Sequence, residues 1–240
     1  MGKAVSDPRQ RLLEAGLKQF ANRGYAVLQV NYRGSTGFGK ALHNAGNREW
    51  AGKMQTDLYD AVDRLVAEGI ADPAQVAIFG GSYGGYATLV GMTMAPTRFA
   101  CGVDVVGPSN ISTLFASFPP YWEPIRAEFM LRVGDPSTEA DFIRKISPLY
   151  YADRIERPLL IAQGANDPRV KQPESDQIVA SMRAAGKEVL YLLFPDEGHG
   201  FARPENNIRF MAAAEAFLAR HLGGRAEETH PGEEAPIVEG

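Results

Sequence analysis

The apolar positions of the chain follow two patterns. One is the spacing typical of amphipathic helices, and the other is the short continuous run typical of buried strands. Helical spacing predicts helices in five places, at 9–22, 56–68, about 86–94, 174–185 and 205–222. Short apolar runs predict strands at 25–32, 75–79, 100–106, 158–163 and 188–194. A less regular stretch, rich in aromatic residues, spans 110–151.

The predicted helices and strands follow one another in turn along the chain. That order, with strands apolar on both faces, indicates an α/β fold with a mostly parallel sheet covered by helices on both sides. We expect one domain over 1–222. Residues 223–240 are rich in Gly, Pro and Glu and poor in apolar side chains, so we expect an acidic, disordered tail.

The composition excludes several classes of protein. With 45% hydrophobic residues, the chain of 240 residues is not disordered as a whole. The net charge of −4 lies entirely in 222–240, which holds five glutamates and one arginine. The rest of the chain is neutral as a group, so we expect neither nucleic acid nor a membrane as a partner.

The ends and the cysteine content bear on location. No run approaches 18 apolar residues, and the first ten residues lack the apolar core of a signal peptide. Gly2 and Ser6 fit the loose myristoylation pattern, although an ordinary helix cap at Ser6 or Asp7 is favoured. Cys101 is the single cysteine and forms no internal disulfide. We therefore expect a cytoplasmic protein.

The strongest motif is Gly80-Gly81-Ser82-Tyr83-Gly84, a G-x-S-x-G between a predicted strand and a predicted helix. In that context the motif is typical of a nucleophile elbow, a sharp turn that exposes the serine hydroxyl. We expect glycine on both sides because strand and helix approach too closely for a Cβ. The start of the helix offers N–H groups to a developing oxyanion.

A nucleophilic serine needs a base, and His199 is the strongest candidate. It lies between Gly198 and Gly200, just after a predicted strand and downstream of Ser82. The other histidines are less suitable, because they precede the elbow or lie at the end of the last helix or in the tail: His43, His221 and His230.

The base in turn needs an orienting carboxylate. Asp167 follows the predicted strand 158–163, and functional groups collect at the carboxyl ends of strands in open α/β sheets. Asp104 is a rival within its own strand, and Asp196 is a rival in the loop of the histidine. The chain order Ser82, Asp167, His199 is that of the α/β-hydrolases and favours Asp167.

Four segments together carry a family resemblance. They are 31–39 (NYRGSTGFG), 80–86 (GGSYGGY), 164–170 (GANDPRV) and 194–201 (FPDEGHGF). In this order they resemble the catalytic domain of the prolyl oligopeptidase family, in particular its acylaminoacyl-peptidase-like branch. The resemblance extends over about 17–222 and implies an α/β-hydrolase catalytic domain, without metal or cofactor, that acts on short peptides.

The resemblance also implies roles for single residues. Ser82 would be the nucleophile, Asp167 the orienting acid and His199 the base, and Tyr83 would give its backbone N–H to the oxyanion hole. Arg169 would bind a substrate carbonyl or carboxylate, unless it is a solvated loop residue. An aromatic group either lines an apolar specificity pocket or packs a small cap or the core: Phe115, Phe118, Tyr121 and Trp122.

The chain departs from the family before the segment 25–32. That segment matches the family's fourth strand, and a third strand ending in a His-Gly-Gly-Pro loop should come earlier. The sequence contains no such loop. We therefore expect a hydrolase domain that lacks the family's first strands and is partial at its N-terminus, from a truncated or mis-started reading of a longer peptidase. The absence of the third strand would leave a gap between the fourth strand and the nucleophile strand, and the sheet would have to close up, borrow a strand from a partner or stay damaged.

Three functions remain open at this point. The chain is a serine peptidase for small peptide substrates, a carboxylic-ester hydrolase using the same triad, or a non-catalytic fragment that serves binding or subunit association. A homo-oligomer is possible.

Overall fold

The computed structural model describes residues 18–239. Residues 18–22 are helical and fall within the predicted helix 9–22. The rest of that helix, the cap at Ser6 or Asp7 and the lipidation pattern at Gly2 lie outside the described residues. Within residues 18–239, none of the helices combines the length and apolar character needed to span a bilayer.

Four parallel strands form one sheet, in the spatial order β1-β2-β3-β4. Their bounds are β1 Ala77–Gly81, β2 Cys101–Val105, β3 Leu159–Gly164 and β4 Val189–Phe194. Each lies within two residues of a predicted strand. Parallel pairing brings all four carboxyl ends to one edge of the sheet, where the candidate site residues follow.

The helices fill the intervals between the strands. In chain order they are α1 Lys40–Asn44, α2 Lys53–Ala67, α3 Tyr83–Met94, α4 Ile111–Ala116, α5 Arg126–Val133, α6 Ala140–Lys145, α7 Pro173–Ala184 and α8 Pro204–Leu222. Three short 3₁₀ helices lie at Pro73–Gln75, Pro120–Ile125 and Pro148–Arg154. The irregular aromatic stretch 110–151 thus consists of short helices.

Helices cover both faces of the sheet, as predicted. On one face, α3 and α7 pack Leu89 and Ile178 against Leu159 and Ile161. On the other, α8 packs Phe210 and other apolar residues against β2 and β3. A third cluster unites α3 with α4, α5 and α6 around Tyr86. The α/β fold class is therefore confirmed.

The predicted strand at 25–32 is wrong, because these residues form neither a strand nor a helix. Within the described residues no strand lies beside β1 on this side, and backbone groups form a strand only with a neighbour to pair with. Val27 and Leu28 stay 42% and 43% exposed, and Phe79 of β1 is 42% exposed. Among the described residues β1 is thus the edge strand of the sheet.

The disorder expected for 223–240 stays a prediction, but the end of this tail contacts the sheet in the structure. The Leu193 N–H donates to Pro236 O at 3.0 Å, and the Val238 N–H donates to Tyr191 O at 2.9 Å. Ile237 forms an antiparallel bridge with Leu192 at the outer edge of β4. The short apolar run at 235–238 makes contacts that the acidic composition of the tail does not predict, since Val238 packs against the core cluster around Leu159 and Ile161.

Candidate active site

Ser82 stands between β1 and α3 in a conformation that an L-residue rarely adopts. Its φ is +57° and its ψ is −116°. Such left-handed backbone in a residue other than glycine persists only where the surroundings hold it, and it concentrates at functional sites. The Ser82 N–H donates to Val105 O on β2 at 2.8 Å, which fixes the turn to the sheet.

The two glycines of the motif differ in whether the turn has room for a Cβ. A Cβ on Gly80 would lie 2.2 Å from the carbonyl oxygen of Gly84, so glycine is required at that position. A Cβ on Gly84 would meet no atom within 4 Å. The expectation of a steric need on both sides therefore holds for Gly80 and is wrong for Gly84.

The three predicted triad residues meet at the carboxyl edge of the sheet. His199 Nε2 lies 2.9 Å from Ser82 Oγ, and His199 Nδ1 lies 2.7 Å from Asp167 Oδ2. Both contacts are within normal hydrogen-bond distance. With Nδ1 donating to the carboxylate, Nε2 is left as the acceptor that faces the serine hydroxyl.

Asp167 is fixed from two further directions. Its Oδ1 accepts the N–H of Arg169 at 2.8 Å and the N–H of Val170 at 3.0 Å. The Asp167 side chain is 0% exposed, and the His199 side chain is 14% exposed. A carboxylate held by its own loop and shielded from water orients the imidazole in one direction.

The loop of His199 is closed by a residue whose role the sequence analysis missed. Glu197 is 3% exposed and accepts the N–H of Ala202 at 3.0 Å, the N–H of Arg203 at 2.9 Å and Asn206 Nδ2 at 2.9 Å. These bonds bracket His199 and tie it to the first turn of α8. A carboxylate two positions before the base was the available signal.

Tyr83 is the first residue of α3, so its N–H is among the donors that a helix leaves free at its start. This N–H adjoins the serine at the positive end of the helix dipole, which suits a developing negative charge. The Tyr83 ring contacts Trp50 at 4.8 Å and Tyr86 at 5.6 Å between centroids, and this packing holds the first turn.

The predicted substrate-binding residues do not form one surface. Arg169 is exposed, whereas Phe115 is 2% exposed and stacks on Phe118 at 4.9 Å between centroids. Trp122 is partly buried against the same cluster, and Tyr121 is 57% exposed. The burial of Phe115 favours the alternative that these rings pack a cap.

The rival carboxylates and histidines lie elsewhere. Asp196 bonds Asn206 Nδ2 and Arg203 Nε, and Asp104 is fully buried in β2. His43 Nδ1 lies 3.1 Å from Gly34 O. His221 contacts Phe217, and burial lowers the pKa of its imidazole.

The glycine-rich loop after 25–32 is pinned to α2. Arg33 makes a bidentate pair with Asp57, through Nε at 2.8 Å and Nη2 at 2.7 Å, and its N–H also donates to that carboxylate. The pairing with Arg33 lowers the pKa of Asp57. Such a pair fixes the loop that follows Tyr32, whose ring lies 5.6 Å from that of Tyr83.

The sequence matches that of known peptidases. The family described as "Prolyl oligopeptidase family" matches residues 13–225. The chain is 63% identical over 209 residues to dipeptidyl aminopeptidase BIII of Pseudoxanthomonas mexicana, covering 86% of this chain and 30% of the relative. It is 31% identical over 194 residues to an acylamino-acid-releasing enzyme of Arabidopsis thaliana, covering 77% of this chain and 25% of that one.

Solved structures agree with the sequence matches. A puromycin-hydrolyzing peptidase of Mycobacterium tuberculosis superposes with a TM-score of 0.84 at 32% identity, covering 90% of this chain and 32% of that one. An acylaminoacyl peptidase of Pyrococcus horikoshii gives 0.80 at 27% identity, covering 91% and 35%. The chain thus spans about a third of the length of the proteins that it matches.

Proposed function

Because the chain belongs to the prolyl oligopeptidase family of peptidases, we propose that it hydrolyses short peptides through an acyl-enzyme formed on Ser82. The observation that carries the proposal is the continuous hydrogen-bond chain from Ser82 Oγ through His199 to Asp167. Such a chain is the arrangement that activates a serine hydroxyl.

In the proposed reaction His199 Nε2 takes the proton of Ser82 Oγ as the oxygen attacks the carbonyl carbon of the scissile bond. The Asp167 carboxylate stabilises the imidazolium that forms. His199 then gives the proton to the departing amine, which leaves an ester on Ser82. Water attacks this ester with His199 again as the base, and the free serine is restored.

The Tyr83 N–H is proposed as an oxyanion donor, because it lies at the start of α3 beside the nucleophile. The 240 residues contain no His-Gly-Gly-Pro segment. Among the described residues, the Tyr83 N–H is the backbone donor that the proposal assigns to the oxyanion. Removing one donor from such a site typically costs about 3–4 kcal/mol of transition-state stabilisation.

For the substrate we propose peptides that are shortened from the amino end by a dipeptide. The relatives that carry dipeptidyl-peptidase names match at 63% and 52% identity, and those named acylamino-acid-releasing enzyme match at 27–32%. Arg169, exposed two residues after Asp167, is proposed to contact a substrate carbonyl or carboxylate. Tyr121 and Trp122 are proposed to line the approach.

Three substrates with chromogenic leaving groups test this proposal. A dipeptidyl p-nitroanilide, an N-acetyl-aminoacyl p-nitroanilide and a p-nitrophenyl ester are given to the full chain and to its Ser82→Ala variant. Faster turnover of the dipeptidyl anilide, abolished by Ser82→Ala, supports the proposed peptidase. Equal or faster turnover of the acetylated anilide contradicts release of dipeptides.

Ester hydrolysis is the second candidate, because the same hydrogen-bond chain from Ser82 through His199 to Asp167 cleaves activated esters. An ester has a better leaving group than an amide and needs less stabilisation of the oxyanion. Turnover of the p-nitrophenyl ester that depends on Ser82, with neither anilide cleaved, supports this second function.

The cellular location and the partners of the protein are also proposals. The single cysteine, Cys101, is buried and free, which suits a reducing compartment, and we propose a cytoplasmic location. We further propose that the protein works without nucleic acid or membrane, and a homo-oligomer is compatible with it. Cell fractionation and light scattering of the purified chain test these statements.

A further inference from the structure

Asp104 is a buried carboxyl for which the proposed mechanism has no role. It is fully buried and lies on β2, paired with Gly80 of the nucleophile strand. Its Oδ1 would lie 2.2 Å from a Cβ on Gly85, the third residue of α3. The carboxyl therefore sits directly beneath the first turn of the helix that starts at the nucleophile.

The carboxyl shapes the turn at the end of β2. Its Oδ1 accepts the N–H of Gly107 at 2.9 Å, which closes the turn 104–107. Inside that turn Val106 has φ +50°, a genuine outlier for a β-branched residue. Strain of this kind persists only where the surrounding structure holds it.

This turn is attached to the nucleophile. Val105, between Asp104 and the strained Val106, accepts the Ser82 N–H through its carbonyl oxygen at 2.8 Å. Any relaxation of the turn would therefore move the acceptor that holds Ser82 in its own left-handed conformation. The path from Asp104 to Ser82 runs through one residue and one hydrogen bond.

The space around the carboxyl is closed. Gly107 as well as Gly85 is required there, because a Cβ on Gly107 would lie 2.3 Å from Oδ1. Asp104 Oδ2 is buried and has no hydrogen-bond partner among the described residues. A buried carboxylate oxygen without a donor is costly, so the site favours the protonated acid.

The neighbours of Asp104 supply no compensating charge. Its pairing partners on β1 and β3 are Gly80 and Ile161, and neither strand has a titratable residue. On α3 the titratable groups are Tyr83 and Tyr86, which stay neutral because burial raises the pKa of each phenol. The charged residues of α8 lie on the helix that covers the other face of the sheet. Burial raises the pKa of Asp104 to about 7.

We propose that Asp104 is a positioning residue, whose uncharged carboxyl holds the turn 104–107 and through it the nucleophile Ser82. The effect of Asp104 on the reactivity of Ser82 rests on the proposed function, whereas its effect on the position of Ser82 does not. An ionised Asp104 beside the first turn of α3 would place negative charge near the helix end that stabilises the oxyanion. The site is therefore most reactive while Asp104 keeps its proton.

Nuclear magnetic resonance tests the structural part on the unmodified chain. The carboxyl carbon of Asp104 is followed from pH 5 to pH 9, together with the amide signals of Ser82 and Tyr83. The expected result is one midpoint, near pH 7, that is shared by the Asp104 carbon and the Ser82 amide. In Asp104→Asn the Ser82 amide should lose the transition that it shares with the Asp104 carbon and keep any transition that it shares with the His199 ring, which contacts Ser82 Oγ. A Ser82 amide that is indifferent to the ionisation of Asp104 overturns the proposal.

The reactive part is tested by the rate of labelling with a fluorophosphonate over the same pH range. Wild-type labelling should fall about tenfold from its maximum as Asp104 ionises, and Asp104→Asn should show no fall. Asp141→Asn, an exposed change on α6, serves as the matched control and should behave as wild type.

The outcomes separate the two proposals. Labelling of Ser82 with the same alkaline fall in Asp104→Asn overturns the role of Asp104 and leaves the peptidase intact. If Ser82 is not labelled at any pH, the proposed function fails. The shared titration of Asp104 and the Ser82 amide then still decides whether Asp104 positions the turn.

Discussion

His199 Nε2 lies 2.9 Å from Ser82 Oγ, although 117 positions separate the two residues in the chain. The parallel sheet explains the meeting, because Ser82 follows β1 and His199 follows β4, and both carboxyl ends lie at one edge. Asp167 arrives there from β3 and completes the chain of hydrogen bonds.

Asp167→Asn should reduce turnover about 10³–10⁴-fold with little change in KM. The asparagine amide at position 167 can donate to Nδ1 of His199, which favours the tautomer with the proton on Nε2. In that tautomer Nε2 can no longer accept the serine proton. Steady-state kinetics of the purified variant measures the loss.

Asp196→Asn is the matched control for that change, since Asp196 shares the histidine loop but bonds Asn206 and Arg203. It should stay within about threefold of wild type, because its bonds are at the surface. An equal loss in both variants would assign the effect to the loop as a whole and not to orientation of the imidazole by Asp167.

Glu197→Ala should lower the free energy of unfolding by about 2–4 kcal/mol. It leaves two backbone N–H groups and Asn206 without their buried acceptor, and it loosens the loop that carries His199. Urea unfolding measures the stability, and fluorophosphonate labelling at low denaturant reports on the loop.

Glu205→Ala provides the comparison, because Glu205 is exposed and its one ion pair, with Arg203, is 3.8 Å long. It should cost less than about 1 kcal/mol. A Glu197 variant as stable as this control would show that the buried bonds of Glu197 do not hold the loop.

Gly80→Ala and Gly84→Ala should differ, although both glycines belong to one motif. An added Cβ at Gly80 collides with the Gly84 carbonyl at 2.2 Å and forces the backbone apart, at a cost of about 1–3 kcal/mol or more. At Gly84 the Cβ enters open space within the first turn of α3, where alanine is neutral or stabilising. Thermal unfolding of the two variants should rank them in this order, and the reverse order would contradict the described turn.

The stability of the chain should depend on pH through Asp104. Its pKa is raised to about 7 in the folded state from an ordinary value near 3.8, so the folded protein binds the proton more tightly than the unfolded chain. Folding stability therefore falls as pH rises from about 4 to about 7. Asp104→Asn has no proton to lose, so its stability relative to wild type should increase by about 2–4 kcal/mol between pH 4 and pH 8.

Urea unfolding at both pH values checks this. Asp141→Asn, which is exposed, should show a constant difference from wild type. A constant difference for Asp104→Asn as well would mean that the buried carboxyl carries its charge without penalty.

Much of the fold follows from local patterns. The apolar run that became β3 and the amphipathic spacing of α2 are decided by nearby residues, so their bounds were predicted within a few positions. The segment 25–32 was not, because a strand depends on a partner that lies elsewhere in space. Pro236–Val238 is the opposite case, since a short apolar run in an acidic tail pairs with the edge of β4.

The site likewise contains residues whose roles could be predicted from the sequence and others whose roles could not. The triad could be predicted because Ser82, Asp167 and His199 each stand in a motif with its own backbone signature. The connection between Asp104 and Ser82 could not be predicted, since it runs through Val105 on the neighbouring strand, whose carbonyl oxygen accepts the Ser82 N–H. The burial of Phe115 likewise depends on how α4 and α5 pack, which the order of aromatic residues leaves undecided.

Mass spectrometry of the chain after reaction with a fluorophosphonate tests the central claim most directly. The account predicts one phosphonyl group per chain, located on Ser82 by peptide mapping, absent from Ser82→Ala and formed at least about 10³-fold more slowly in His199→Ala. A folded wild-type chain that gains no mass, or an adduct that persists in Ser82→Ala, would contradict the assignment of Ser82 as the nucleophile.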